Sequence, residues 1–179
     1  SCPVEVVPNF VDINAFSPSS EPRRSVPTFV HVSNFRSVKR VPWLVRAFTL
    51  AAKGTNAQLV LVGDGPDQPE ARRVANEGGV QEQVTFLGER DILPSLLAPM
   101  TAFCLTSREE SFVLSALDAM SCCTPLISTD VCGVSSVVEA GVAGILCVAS
   151  LLGCSRRALL GVSHSGSCTH LRLLNKIFL

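Results

Sequence analysis

Apolar residues along this chain fall into short β-branched runs separated by longer segments with helical spacing, and the alternation begins at Thr28. Six runs predict strands, over residues 28–32, 58–62, 84–87, 101–105, 125–128 and 144–148. Each is nearly continuous in its apolar character, as a parallel strand covered on both faces should be. Between the first two, residues 41–53 set Val41, Leu44, Val45, Phe48, Ala51 and Ala52 on one stripe of a helix that Gly54 ends. Segments 67–77, 92–97, 112–121 and 134–140 fill the other crossovers. Strands alternating with helices predict an α/β fold, a doubly wound parallel sheet of the Rossmann type.

Right-handed crossovers in such a sheet put ligands beyond the carboxyl ends of the strands. The loops on that edge run from Ser33 to Lys39, through Gly63-Asp64-Gly65-Pro66, from Gly88 to Asp91, from Thr106 to Glu110 and from Thr129 to Gly133. They hold nearly every glycine, hydroxyl and charge that has no packing role to explain it, which predicts a single site at one rim. The richest junction is Glu109-Glu110-Ser111-Phe112-Val113-Leu114-Ser115-Ala116-Leu117-Asp118. Glu110 stands just before a helix, where its carboxylate can reach sugar hydroxyls. Ser111 and the amides after it offer unpaired N–H groups to a phosphate. Asp118, two turns on, is placed to accept hydrogen bonds from vicinal ribose hydroxyls.

Composition narrows the partners. Fifteen basic residues cancel fifteen acidic ones, so no sustained field gathers nucleic acid or anionic lipid, and a small molecule is the expected ligand. Eight cysteines include no Cys-x-x-Cys pair, and several lie in apolar runs, which fits buried thiols in a reducing cytosol. A zinc site on Cys122, Cys123 and Cys132 is disfavoured, because adjacent cysteines point apart on a helix and no histidine lies nearby. The first residues lack the pattern of an export signal. The most apolar stretch, 141–154, is shorter than a bilayer span, so no membrane span is expected and the chain is read as cytoplasmic. Residues 1–27, with Pro3, Pro8, Pro18, Pro22 and Pro27, are read as a connector, residues 28–148 as the ligand-binding domain and 149–179 as an unassigned tail without Asp or Glu. That tail has the look of a translated frameshift or an alternative end.

The junction also resembles the Glu-x7-Glu signature of the family 4 retaining glycosyltransferases, in the form Glu-Ser-Phe-Gly followed by Glu-Ala-Met. Val7-Pro8-Asn9-Phe10-Val11-Asp12, Val62-Gly63-Asp64-Gly65-Pro66, Phe86-Leu87-Gly88 and Glu139-x-Gly-x-x-Gly144 are similar to other segments of that family. The likeness extends over residues 6–148. Its Ser33-Asn34-Phe35-Arg36-Ser37-Val38-Lys39-Arg40 string is similar to the branch that makes N-acetylglucosaminyl malate. The resemblance implies one half of a two-domain GT-B fold that binds a nucleoside-diphosphate sugar, UDP-N-acetylglucosamine. The acceptor would be held by a separate amino-terminal Rossmann domain. It further implies donor contacts at Asn34, Arg36, Lys39, Gly63, Gly65, Gly88, Glu110, Ser111, Phe112, Val113, Leu114 and Asp118, with Lys39 and Glu110 in catalytic roles. Cations and helix amides would serve in place of a metal, since no Asp-x-Asp motif occurs, and no cofactor is implied.

The chain departs from the family pattern at several points. Val113 stands where the family has glycine, so a Cβ is expected to crowd an approaching phosphate. Asp118 is one carbon shorter than the usual Glu, Asn34 takes the usual Arg position, and Cys123 takes that of a Gly. These departures point to a fragment inactive in transfer. Two further readings stay open: a non-catalytic or vestigial nucleotide-binding module, and half of a sugar-nucleotide epimerase or phosphorylase. Plainer roles are also available. Glu110 can be a carboxylate that merely favours a helix start, Gly63 and Gly65 can be turn glycines, and His31, inside a strand, is expected to be a satisfied core histidine.

Overall fold

The structure, a computed structural model, describes residues 9–20, 22–92, 94–131, 133, 134, 138 and 144–147. Six strands, β1 (Thr28–Val32), β2 (Gln58–Val62), β3 (Val84–Gly88), β4 (Ala102–Leu105), β5 (Leu126–Thr129) and β6 (Gly144–Cys147), form one sheet in the order β3-β2-β1-β4-β5-β6. Every neighbouring pair is parallel. This is the doubly wound Rossmann-like arrangement expected from the alternating pattern. The chain works outward from β1 to β3, then returns to lay β4 on the other side of β1. Loops leaving β1 and β4 therefore diverge, and a crevice opens between them at the carboxyl edge.

Successive strand residues face opposite sides of the sheet, and each side has its own helical layer. Phe29, Leu59, Leu61 and Cys104 pack with Val41, Leu44 and Phe48 of α1 (Val41–Ala52) and Val74 of α2 (Gln68–Glu77). On the other side Val30, Val60, Phe103 and Leu105 meet Leu97 of α3 (Pro94–Leu97) and Leu117 and Met120 of α4 (Leu114–Ser121). Full burial of one such large apolar side chain contributes roughly 1.5–3 kcal/mol, so both layers are firmly fixed to the sheet. At the edge, β3 buries Val84 but exposes Thr85, and covering on both faces is a property of the inner strands.

Element ends depart from the sequence pattern where local geometry overrides it. Thr101 lies outside β4 and instead exchanges bonds with Thr28, accepting its N–H at Oγ1 (2.9 Å) and donating its own N–H to the Thr28 carbonyl (2.8 Å). Lys53 leaves the helical region at ψ 119°, which ends α1 at Ala52. The 92–97 crossover contracts to the four residues of α3, begun by Pro94, whose missing N–H costs nothing in a first turn. The helix expected from residue 112 starts at Leu114, because Val113, at φ −109° and ψ 61°, is not helical. Of the expected 134–140 helix only Val134 and Val138 are described, joined by one N–H to carbonyl bond of 2.9 Å. Val148 and the 149–179 tail lie outside the described residues.

Residues read as a connector also join the body of the domain. Val11 is buried in the α3/α4 layer with Phe16 packed against it, and the Arg23 guanidinium donates to the Cys123 carbonyl at 2.6 Å. Cys104 and Cys122 are buried, reduced thiols. Cys123 departs from the expectation of thiols throughout, since it is in a disulfide. Its φ of 60° lies in the left-handed region that glycine favours. No helix among the described residues is long and apolar enough to cross a membrane.

Candidate functional site

The site begins with the loop after β1. Ser33 donates its N–H to the Val62 carbonyl (3.1 Å) and Phe35 donates to the Asp64 carbonyl (2.7 Å), so this loop lies directly on the loop after β2. Phe35 is fully buried beneath both. A Cβ on Gly63, whose φ is 117°, would stand 1.8 Å from the Ser33 carbonyl oxygen. Glycine at 63 is therefore a condition for the two loops to touch. A 3₁₀ turn at Ser37–Lys39 follows, and Arg40, in the left-handed region at φ 55°, redirects the chain into α1 with its guanidinium 4.7 Å from the Trp43 ring centroid.

The loop after β4 is then fastened to the first. Thr106 Oγ1 donates to the Lys39 carbonyl at 3.0 Å, and the Arg108 N–H donates to the Val38 carbonyl at 2.9 Å. This stitching sets Lys39 Nζ 2.7 Å from Glu110 Oε1 across the switch point of the sheet, with the Glu110 side chain 7% and the Lys39 side chain 22% exposed. Ser107 Oγ donates to the same oxygen at 2.6 Å. Both bonds fall on Oε1, so Oε2 keeps its acceptor capacity for whatever enters the cavity that Glu110 lines. Behind Glu110 the backbone is closely backed: a Cβ on Gly133 would lie 2.6 Å from the Glu110 carbonyl oxygen.

A cavity of about 860 Å³ opens in front of this pair. Asn34, Lys39 and Gly63 line one side, and Glu110, Phe112, Val113, Leu114 and Asp118 the other. Four residues of the expected set are not among its walls. Arg36 is exposed, turned away where its N–H donates to the Asn34 carbonyl (2.7 Å) and its carbonyl accepts from Lys39 (2.8 Å). Gly65 packs against the Phe35 backbone, and Gly88 supplies a carbonyl that accepts the Gly63 N–H at 2.8 Å. Ser111 precedes the helix by three residues, so its amide is not one of the helix-terminal donors. Those donors begin at Leu114 and Ser115, because Ala116 and Leu117 already donate to the Val113 carbonyl.

Val113 itself is 3% exposed, with its side chain in the α3/α4 core and a negative φ. Its methyl groups are therefore absorbed by packing, and no glycine conformation is needed there. Asp118 lines the cavity with a carboxyl held above the ordinary aspartate range by burial. Beneath it burial, and then the Asp118 charge, push the Cys122 thiol up to about 11.

Several wall residues were not among the expected donor contacts, although Ser33, Asp64, Glu89 and Arg90 lie in the loops read as the rim: these four, Ile92 and Ser115. Their common signal is position, since all but Ser115 closely follow the end of a strand. Counting them changes the electrostatics, because Lys39 and Arg90 face five carboxylates, Asp64, Glu89, Asp91, Glu110 and Asp118. Arg90 is moreover tied by its Nε to the Leu87 carbonyl at 3.1 Å.

A parallel sheet in this strand order, with an ion pair and helix amides around a crevice at its carboxyl edge, defines a Rossmann-like α/β domain. The model of the family described as glycosyl transferases group 1 matches residues 26–151, and the chain belongs to that family. It is 41% identical over 118 residues to the N-acetyl-alpha-D-glucosaminyl L-malate synthase of Bacillus anthracis, an alignment covering 66% of this chain and 31% of that protein. Among solved structures it superposes on the C-terminal domain of a glycosyl transferase group 1 family protein, LpcC, from Francisella tularensis, with a TM-score of 0.80 at 17% identity over 94% of this chain and 98% of that one. Anabaena HepE in complex with UDP and glucose gives a TM-score of 0.80 at 22% identity, over 97% of this chain and 51% of that one. At such identities the two structures speak for the fold alone. The chain spans about a third of the length of the curated relatives it matches.

Proposed function

We propose that this chain is the donor-binding half of a retaining glycosyltransferase that takes N-acetylglucosamine from its UDP derivative to a hydroxyl acceptor. A separate amino-terminal Rossmann domain would hold the acceptor, and the chain alone would be inactive in transfer. The observation that carries this reading is the Lys39–Glu110 pair, 2.7 Å apart across the switch point. Lys39 brings a fixed cation to the diphosphate, where charge grows as the leaving group departs. The N–H groups of Leu114 and Ser115 add unpaired donors at a helix start, and Glu110 Oε2 accepts from sugar hydroxyls. The donor sugar is carried over from the name of the 41% identical relative.

In the reaction so proposed, the bond from the anomeric carbon to the diphosphate oxygen breaks and a bond to the acceptor hydroxyl oxygen forms on the same face. The hydroxyl proton passes to the departing phosphate, so no protein nucleophile is needed. One feature favours a second reading, a module that binds nucleotide weakly and turns nothing over: five carboxylates against two cations in the wall. Calorimetric titration with UDP and with UDP-N-acetylglucosamine tests the proposal. The expected result is weak, salt-sensitive UDP binding that Lys39→Ala loses, with no transfer to malate by the chain alone. An affinity untouched by Lys39→Ala would remove the diphosphate assignment.

A further inference from the structure

His31 has no place in the function proposed above, yet it is a fully buried titratable side chain one residue from the cavity wall. Its Nδ1 lies 2.8 Å from the Cys104 carbonyl oxygen and its Nε2 lies 2.8 Å from Ser33 Oγ. A carbonyl can only accept, so Nδ1 carries the hydrogen. Burial holds the imidazole neutral, with a pKa of about 4. Its single proton is then spent on Nδ1, and Nε2 is a bare lone pair. Ser33 must therefore donate its hydroxyl hydrogen inward to Nε2, and the two lone pairs of Oγ remain for the cavity that Ser33 lines. The Phe35 ring, 6.3 Å from the imidazole between centroids and fully buried, packs beside this arrangement.

We propose that Ser33 determines specificity at the donor site: with its hydrogen fixed on His31, it accepts an O–H or N–H of the bound sugar and repels a phosphate oxygen. His31 is the positioning residue for that contact. A serine with a free rotor would serve phosphate and hydroxyl alike, whereas one with a committed hydrogen tells them apart. The assignment rests on the donor-site reading and adds to it which part of the donor passes Ser33. It predicts a sugar-dependent increment in affinity and leaves the diphosphate to Lys39 and the amides of α4.

Two measurements on the full chain test it. Multiple-bond nitrogen NMR of the histidine-labelled protein, with the His31 signals identified by their loss in His31→Gln, is expected to show a protonated Nδ1 and an unprotonated Nε2. The reverse tautomer overturns the proposal, whatever any variant does. In calorimetry, Ser33→Ala is expected to weaken UDP-N-acetylglucosamine by roughly five- to tenfold, the worth of one hydrogen bond, while UDP alone is unchanged and Ser33→Thr keeps both affinities. Equal losses for the two ligands, or no loss for either, overturn the assignment but leave the donor site standing. If the unmodified chain binds neither ligand, the donor-site reading falls and the assignment falls with it.

Discussion

The Lys39–Glu110 pair makes a quantitative prediction. At 2.7 Å two unit charges attract by about 6 kcal/mol at an effective dielectric of about 20, an upper bound before desolvation is subtracted. Breaking a fully buried pair from one side costs about 3–5 kcal/mol, and an exposed pair contributes about 0–1. With Glu110 at 7% and Lys39 at 22% exposure, this pair lies between those cases. Lys39→Met leaves a nearly buried carboxylate with, among the described residues, only the Ser107 hydroxyl as side-chain donor, so a loss of about 2–3 kcal/mol is expected. Glu110→Gln costs less, about 1 kcal/mol, because the Lys39 ammonium can turn to water. The double variant should then lose less than the sum, by a coupling of about 2 kcal/mol. Urea unfolding of the four proteins measures it through the denaturation midpoints. Additivity within about 0.5 kcal/mol would show that the two side chains do not meet in the folded protein, and the site would lose its centre.

Two other expectations follow from the same geometry. His31 has a folded pKa of about 4 against 6.5 when unfolded, so between those values the unfolded chain takes up a proton that the folded chain refuses. Its contribution to stability is complete above pH 6.5, is lost as pH falls and reaches about 3 kcal/mol of loss near pH 4. Urea midpoints at several pH values should therefore fall more steeply with acid for the unmodified protein than for His31→Gln, and equal slopes would show the imidazole is not sequestered. Gly63→Ala brings a Cβ to 1.8 Å from the Ser33 carbonyl oxygen and should cost about 3 kcal/mol or more. Gly88→Ala meets no atom within 4 Å and bears only the strain of its φ of 71°, about 1 kcal/mol; similar costs for the two would mean the β1 and β2 loops are not in contact.

What the sequence determined by itself was everything that depends on periodicity and on position relative to strand ends. The inner strands were legible because both faces of a parallel sheet are covered, which leaves an apolar run no alternation could disguise. The rim that carries the cavity was legible for a topological reason, since consecutive right-handed crossovers bring every strand's carboxyl end to one edge.

Tertiary structure alone decided which rim side chains turn inward, because contacts tens of residues away in sequence set that direction. Asn34 lines the cavity while Arg36 lies exposed outside its wall, with Phe35 between them fully buried and donating its N–H to the Asp64 carbonyl of the next loop. Val113 lines the cavity yet keeps most of its side chain in the α3/α4 core, at a negative φ that calls for no glycine. The proton of His31 is likewise settled by a carbonyl on the neighbouring strand. A pattern along the chain records which residues are apolar or polar, but not which partner each polar atom finds, and that pairing decides what the cavity offers a ligand.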